Sequence, residues 1–509
     1  MLVSVSWVGR EQAQVILAQD EIAADGPGGS KEASSAAMED DGAGAGDDGL
    51  DADTENPQDI ISDLLAGNAK GLKVFKSNKE DPFLVDASDA PYDEDDLEDL
   101  RIKPTDAQLV CARSSDEVSQ IEVYVYESLD DGTNHMYIHH DIILPAMPLC
   151  TAWTNYDPRS QSRSANMLAV GTFLPSIDIF DLNMVDELEA FATLGGFVPN
   201  TPANESSAAG SQGSRKQGKR KTRLKPQLKL KDSSHSAAVM CLAWNPLDPE
   251  YLASGSADET IKCWDVDSAH CVQTLSHHKN KVQSVAWHPS ERGCLLTGSF
   301  DRTASVVDVR SEVVACTASL SSDIESCAWS TRDTNCFYAC TEGGLVQLFD
   351  VRNVSKARWE LQAHAGPVSA FSISTCVQGL FATGSTDHVL KVWDESATSD
   401  VPALLLAKNA NAGAIFGLAW STDQETSLSL GVVGSKGRLR VRNLAAVTYG
   451  LKGKLDASRV SSVVWHRAKA EGEQAKGEKG RESRNTPAMR DEDDESEDPD
   501  EEEDSSDGE

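Results

Sequence analysis

No apolar run in the sequence approaches the roughly 18 residues that a membrane-spanning helix needs. The opening stretch, Met1-Leu2-Val3-Ser4-Val5-Ser6-Trp7, has neither the basic leader nor the long apolar core of a secretory signal. A soluble, intracellular protein is therefore expected. Paired cysteines are also missing. The 11 cysteines are odd in number and lie in strand-like stretches such as Met240-Cys241-Leu242 and Lys262-Cys263-Trp264. None forms a CxxC, and the Cys336/Cys340 spacing has no matching second pair. Small buried thiols in a reducing compartment are expected, not disulfides or zinc ligands. Catalytic signatures are absent as well. There is no G-x-S-x-G nucleophile elbow and no G-x-x-x-x-G-K-[ST] phosphate loop, Gly434-Ser435-Lys436-Gly437 reading as a strand turn. His139-His140 and His277-His278 lack a metal-ligand spacing and read as strand or loop residues. No cofactor, metal, small-molecule substrate or membrane partner is expected.

Basic residues are scarce: 46 Lys+Arg face 82 Asp+Glu, a formal net charge of -36. The imbalance is local. Residues 20–100 hold 24 acids against 5 bases, and residues 491–509 hold 14 acids and no base. Such blocks repel themselves and bury little apolar surface, so solvated, disordered segments are expected there. One stretch is the reverse: 215–231, "RKQGKRKTRLKPQLKLK", has nine Lys/Arg and no acid.

What is present in quantity is a repeat. Trp264-Asp265, Val307-Asp308, Phe349-Asp350 and Trp393-Asp394 follow one another at spacings of 43, 42 and 44 residues. Seven residues before each aspartate lies a turn, at Asp258, Asp301, Gly343 and Asp387. Fourteen residues before each turn an apolar strand ends, at Trp244, Trp287, Trp329 and Ile373. Three repeats carry a histidine four residues before the valine that opens that strand, as His235/Val239, His278/Val282 and His364/Val368. "YLASGSADETIKCWDV" reads as strand, tight turn, strand. A unit of roughly 40–45 residues with four short strands and a closing Trp-Asp predicts a WD-repeat blade of a β-propeller. One such sheet cannot bury both its faces, whereas a closed ring buries every face between neighbours.

Weaker copies end at Arg442-Asn443, at Phe180-Asp181 with Trp153 as its strand marker, and at Tyr126-Glu127. The expected fold is all-β, a WD-repeat propeller of seven blades, with eight as the alternative. The first blade lacks an inner strand beside it, and "VSVSW" at 3–7 competes with "VSSVVW" at 460–465 for that role. The expected organisation is a closing strand at 1–9, an acidic and mostly disordered segment at 10–103, the propeller at 104–466, and a disordered charged tail at 467–509. The gap of 84 residues between Asp181 and Asp265 is twice the period. Its excess, at about 197–233, is expected to be an insertion on a blade-connecting loop, where extra length costs little.

Within the repeats, His235, Ser254, Asp258 and Trp264 have the spacing of a hydrogen-bonded tetrad. His364, Thr383, Asp387 and Trp393 form a second, and His278, Thr297 and Asp301 a partial set with Val307 in place of the tryptophan. A Ser-His-Asp triad uses the same residue types. A pattern that recurs blade after blade points instead to satisfaction of buried polar groups. No catalytic residue is expected. Arg215, Lys216, Lys219, Arg220, Lys221, Arg223 and Lys225 suit a nuclear import signal or a contact to nucleic-acid phosphates; a solvated loop is the plain alternative. The stretch has no interleaved aromatics, so base-specific stacking is not expected. The acidic tail suits competition for basic partners, and Ser496, Ser505 and Ser506 within it suit acid-directed phosphorylation. Consecutive Asp-x-Arg endings at Arg310 and Arg352 resemble the box of cullin–RING ligase substrate receptors, a weak signal in WD repeats.

Several stretches resemble the periodic tryptophan protein 1 family: "LKVFKSNKEDPFL" at 72–84, "DLRIKPTDAQLVCAR" at 99–113 and "YVYESLDDGTNHMYIHHDIILPAMPL" at 124–149. The acidic leader, the basic insertion and the recurring "CLAW", "SVAW" and "SCAW" fit as well. The resemblance covers about residues 1–445 and not the tail. It implies a nuclear and nucleolar protein of ribosome biogenesis, linked to ribosomal RNA transcription and pre-ribosomal RNA processing. The implied partners are ribosome-assembly or chromatin proteins, with pre-ribosomal RNA or histones as further candidates. The alternatives are a cullin–RING substrate receptor and a histone-binding chromatin module.

Overall fold

The computed structural model describes residues 1–8, 16–17, 102–103, 105–115, 118–128, 134–185, 189–198, 229–395, 401–445, 455, 457–460 and 464. Residues 14–103 form a separate unit, in which Ile16–Leu17 is a short strand. The ring belongs to the other unit, residues 1–13 and 104–509. The expectations of disorder at 10–103 and 467–509 fall almost wholly outside the described residues.

Seven antiparallel sheets are the blades. Their innermost strands are Leu2–Val8, Pro148–Thr154, Val239–Trp244, Val282–Trp287, Ile324–Trp329, Ala370–Ile373 and Ile415–Trp420. Each lies against the innermost strand of the next blade, and Leu2–Val8 lies against Ile415–Trp420, which closes the ring. Seven blades is the expected number. Of the two candidates for the missing strand, the chain uses the N-terminal one: Leu2–Val8 pairs antiparallel with Ala107–Ser114. The described residues of "VSSVVW", Val460 and Val464, are not part of that strand. Ala457–Arg459 is a 3-10 turn, and Val460 and Val464 are buried in the apolar layer between blades 6 and 7. Blade 7 has three strands among the described residues, Ile415–Trp420, Ser429–Gly434 and Arg440–Asn443.

The apolar interior is not one core. It is seven layers, one per seam between blades. One, for example, joins Leu296 and Val306 of blade 4 to Ile324, Trp329 and Phe337 of blade 5. Second strands are therefore covered on both faces and read as continuous apolar runs, buried throughout at Met167–Thr172, Cys336–Thr341 and Ser429–Gly434. Outer strands such as His270–Leu275 alternate between exposed and half-buried positions, ending on the buried Leu275, because only one side meets a neighbour.

The periodic tryptophans stitch these seams. Each lies at the end of an innermost strand, and five of the six donate the indole N–H to a carbonyl of the preceding blade. Trp7 reaches Ala419 at 3.0 Å, Trp244 reaches Ala152 at 2.9 Å, Trp287 reaches Ala243 at 3.0 Å and Trp329 reaches Ala286 at 3.0 Å. Trp420 reaches Ser372 at 3.2 Å. Trp153 instead donates to the buried Asn166 side chain at 2.7 Å, which passes the link on to Gln108 of blade 1 at 3.1 Å. Blade 6 has Ile373 at this position and no indole to donate.

A second feature recurs at the start of the same strands. Pairing with the second strand shifts register across the second residue in six blades: between Leu2/Ser4, Pro148/Cys150, Val239/Cys241, Val282/Ser284, Ile324/Ser326 and Ile415/Gly417. A bulge at a fixed position re-aims one side chain per blade.

Candidate functional site

Antiparallel order within a blade sends the inter-blade connectors and the hairpins between second and third strands to one face of the ring, the connector face. Hairpins joining the first to the second and the third to the fourth strand lie on the opposite face.

The predicted tetrads lie at the connector face, and the structure brings their members together. His235 Nδ1 lies 3.0 Å from Asp258 Oδ2, and its Nε2 lies 2.7 Å from Ser254 Oγ. Trp264 donates to the same Oγ at 2.8 Å. In blade 6, His364 lies 2.9 Å from Asp387 and 2.8 Å from Thr383, whose Oγ1 also accepts from Trp393 at 3.0 Å. In blade 4, where Val307 replaces tryptophan, His278 lies 2.9 Å from both Asp301 and Thr297, and His277 Nε2 reaches the same Thr297 hydroxyl at 3.2 Å. Burial pushes the pKa of all three tetrad histidines down against the opposing pull of their aspartates. For Asp258 burial acts upward. Bonds from His235, Thr260 and the Ser236 N–H outweigh it and hold the carboxyl below its ordinary value. The hydroxyls of Ser254, Thr297 and Thr383 are wholly buried and committed to these bonds, which leaves them no approach to a substrate.

At the centre of the connector face a channel of about 350 Å³ opens. The second, bulged residues of the innermost strands line it: Val3, Leu149, Met240 and Phe416 on one side, Gln283 and Glu325 on the other. Ser369, at the equivalent position of blade 6, lies between Glu325 and Phe416 around the ring. Sequence reasoning did not single out these residues. The available signal was their place four residues before each periodic tryptophan.

The insertion also leaves from the connector face. Its base is clasped: Val198 N donates to Lys229 O at 2.7 Å and Lys231 N to Gly196 O at 2.9 Å. The residues Arg215 to Lys225, and the tail serines Ser496, Ser505 and Ser506, lie outside the described residues. Arg310 and Arg352 occupy matching turns on the opposite face and differ in state. Arg352 forms a two-pronged pair with Asp350, at 2.9 and 2.8 Å. The Arg310 side chain lies against Gly293 and lines a cavity of about 300 Å³ with Asp248, Tyr251 and Val309.

All eleven cysteines are free and buried or half-buried. Burial raises the Cys150, Cys263 and Cys327 thiols to about 12. Among the described residues no group of three His, Cys, Asp or Glu has a metal-holding arrangement, and no helix is long and apolar enough to cross a membrane.

The family profile described as "WD domain, G-beta repeat" matches residues 225–265, and that of the "E3 ubiquitin-protein ligase RFWD3 WD40 domain" matches 261–390. An uncharacterized WD repeat-containing protein of Schizosaccharomyces pombe is 41% identical over 403 residues, covering 78% of this chain and 72% of the relative. The chain belongs to the WD-repeat family. Periodic tryptophan protein 1 of Saccharomyces cerevisiae is a homologue at 28% identity, with 75% of this chain and 70% of the relative covered. The periodic tryptophan protein 1 homolog of Drosophila melanogaster is 29% identical, with 69% of this chain and 71% of the relative covered. In this WD-repeat chain the recurring tryptophans have a physical role, the indole bonds that cross the seams.

Proposed function

We propose that this protein is a nuclear, nucleolar scaffold of ribosome biogenesis that docks assembly or chromatin proteins on its ring. The observation that carries the reading is the homology to the periodic tryptophan proteins over about 70% of both chains. The structure is consistent with a platform. The repeated polar residues are consumed in folding, which leaves rims, a channel mouth and appended charged segments as the surfaces for recognition. The basic insertion acts as an import signal, and the acidic tail competes for basic partners.

The test is sedimentation of the tagged protein from cells through a gradient. Co-migration with pre-ribosomal particles is expected, and exclusion from the nucleus overturns the reading. A reporter fused to residues 210–232 is expected in the nucleus; a cytosolic reporter removes the import assignment. The ligase-receptor alternative draws on the matched placement of Arg310 and Arg352. Charge reversal of both separates the two, since scaffold function predicts unchanged particle association.

A further inference from the structure

The channel mouth is two-sided in chemistry. Val3, Leu149, Met240 and Phe416, from blades 1, 2, 3 and 7, form a continuous apolar arc across the ring closure. Gln283 and Glu325, on adjacent blades 4 and 5, face it with polar groups. All six side chains are half-buried, so they are open to the cavity but largely shielded from bulk water. Gln283 Oε1 is buried and, among the described residues, accepts no hydrogen bond. No hydrogen bond or ion pair engages the Glu325 carboxylate among the described residues. Burial raises its pKa, with Glu342 and Asp323 acting in the same sense and Lys281 against them. Lys281 acts on it only through space: its ammonium sits over the Phe300 ring, 3.7 Å from the centre, and makes no ion pair with Glu325 among the described residues. A half-desolvated carboxylate and a bare amide oxygen are costly unless a donor arrives.

We propose that the channel mouth is a binding site for a lysine or arginine side chain presented by a basic segment of a partner protein. The apolar arc takes the aliphatic stem, and the charged end donates to the Glu325 carboxylate. Long cationic side chains pair an apolar stem with a charged tip in this way. The cavity holds one such side chain with room for its neighbours on the segment. A nucleic-acid phosphate or the carboxylate of an acidic peptide would meet repulsion from Glu325 and gain nothing from the arc. The proposal stands whether or not the protein acts in the nucleolus.

The probe is a Gly/Ser peptide with one photo-reactive lysine analogue, irradiated with the full-length protein and mapped by mass spectrometry. A neutral photo-leucine peptide serves as control. Adducts are expected on the innermost strands around Met240 and Phe416, and unlabelled lysine or arginine peptides should compete where a norleucine peptide does not. Glu325→Gln is nearly isosteric and removes a charge that burial already disfavours, so it should fold. It should lower these adducts roughly tenfold, the loss of one charged hydrogen bond. Glu325→Ala gives a second reading of the same point. The proposal fails if adducts map only to the acidic segments at 10–103 and 467–509. It also fails if channel adducts are unchanged in melting-verified Glu325→Gln, or if norleucine competes equally.

Discussion

Trp287 illustrates how one residue can serve two blades. Its ring fills the layer between blades 3 and 4, and its N–H satisfies the carbonyl of Ala243. Trp287→Phe keeps much of the apolar area and deletes the donor. It should lower unfolding stability by about 1–2 kcal/mol, the usual penalty for a bare buried acceptor, measured by urea titration. The tetrads lead to a pH prediction. The folded pKa values of His235, His278 and His364 lie below the unfolded value of about 6.5. Protons therefore bind the unfolded chain first as pH falls, and stability is lost below that value. Asp258, Asp301 and Asp387 are also depressed, so their contribution is present above the ordinary carboxylate range and lost as pH falls through and below it. Glu325 and Asp178, raised by burial, act in the opposite sense near that range. Melting temperature should be flat between about pH 7 and 8, fall from about pH 6.5 downward, and fall again above about pH 8.5, where the unfolded chain's thiols ionise before the buried ones. A flat profile from pH 7.5 to about 5 would show that the tetrad histidines titrate equally in both states.

At the scale of the strand, close approach between blades depends on small residues. A Cβ placed on Gly384 would lie 2.5 Å from Ile415 Cγ2, on the first residue of the next innermost strand. Gly255 faces Val282 in the same way, at 2.7 Å. A β-branched side chain has few rotamers with which to yield. Gly384→Ala should cost about 1–3 kcal/mol as overpacking. Adding Ile415→Ala should give a double variant destabilised by less than the sum of the two, because the clash is then gone. Strict additivity would mean that the seam already relaxes around the new methyl. The turns that carry Asp258, Asp301 and Asp387 are followed by Glu259, Arg302 and His388 at φ of 67, 66 and 68°. Those non-glycine residues are held in the left-handed region by the bonds of the preceding aspartates to backbone N–H groups.

At the scale of the molecule, closure rests on a strand far from its partners in sequence. Leu2, Val5 and Trp7 share an apolar layer with Leu109 and Tyr126 of blade 1 and with Val433 and Leu439 of blade 7. Removing residues 1–8 strips blade 1 of its inner strand, exposes an edge and leaves the Ala419 carbonyl bare. The truncated chain should lose cooperative melting, and a peptide of residues 1–9 added in trans should restore it. A sharp, unshifted melt of the truncated chain would show that the ring holds without that strand.

The sequence by itself determined the repeat and the pairing of each tetrad histidine with its aspartate and hydroxyl, and favoured seven blades over eight, because those contacts are local: His235, Ser254 and Asp258 lie within one blade, and strand alternation with turn spacing places them. The tertiary structure alone decided what crosses between blades. "VSVSW" and "VSSVVW" carry the same pattern, and only the cavity beside Ala107–Ser114 distinguishes the strand that fills it from the turn that covers blades 6 and 7. The tryptophans were visible as markers, but the acceptors of five of them lie in the preceding blade, 44, 43 and 48 residues away for Trp287, Trp329 and Trp420, 92 for Trp244 and 412 for Trp7. Bulges are not written in residue type, since valine, leucine, methionine, glutamine, glutamate and phenylalanine all occupy them. Ring closure brings those six side chains to one channel mouth, and burial there makes Glu325 and Gln283 chemically distinctive.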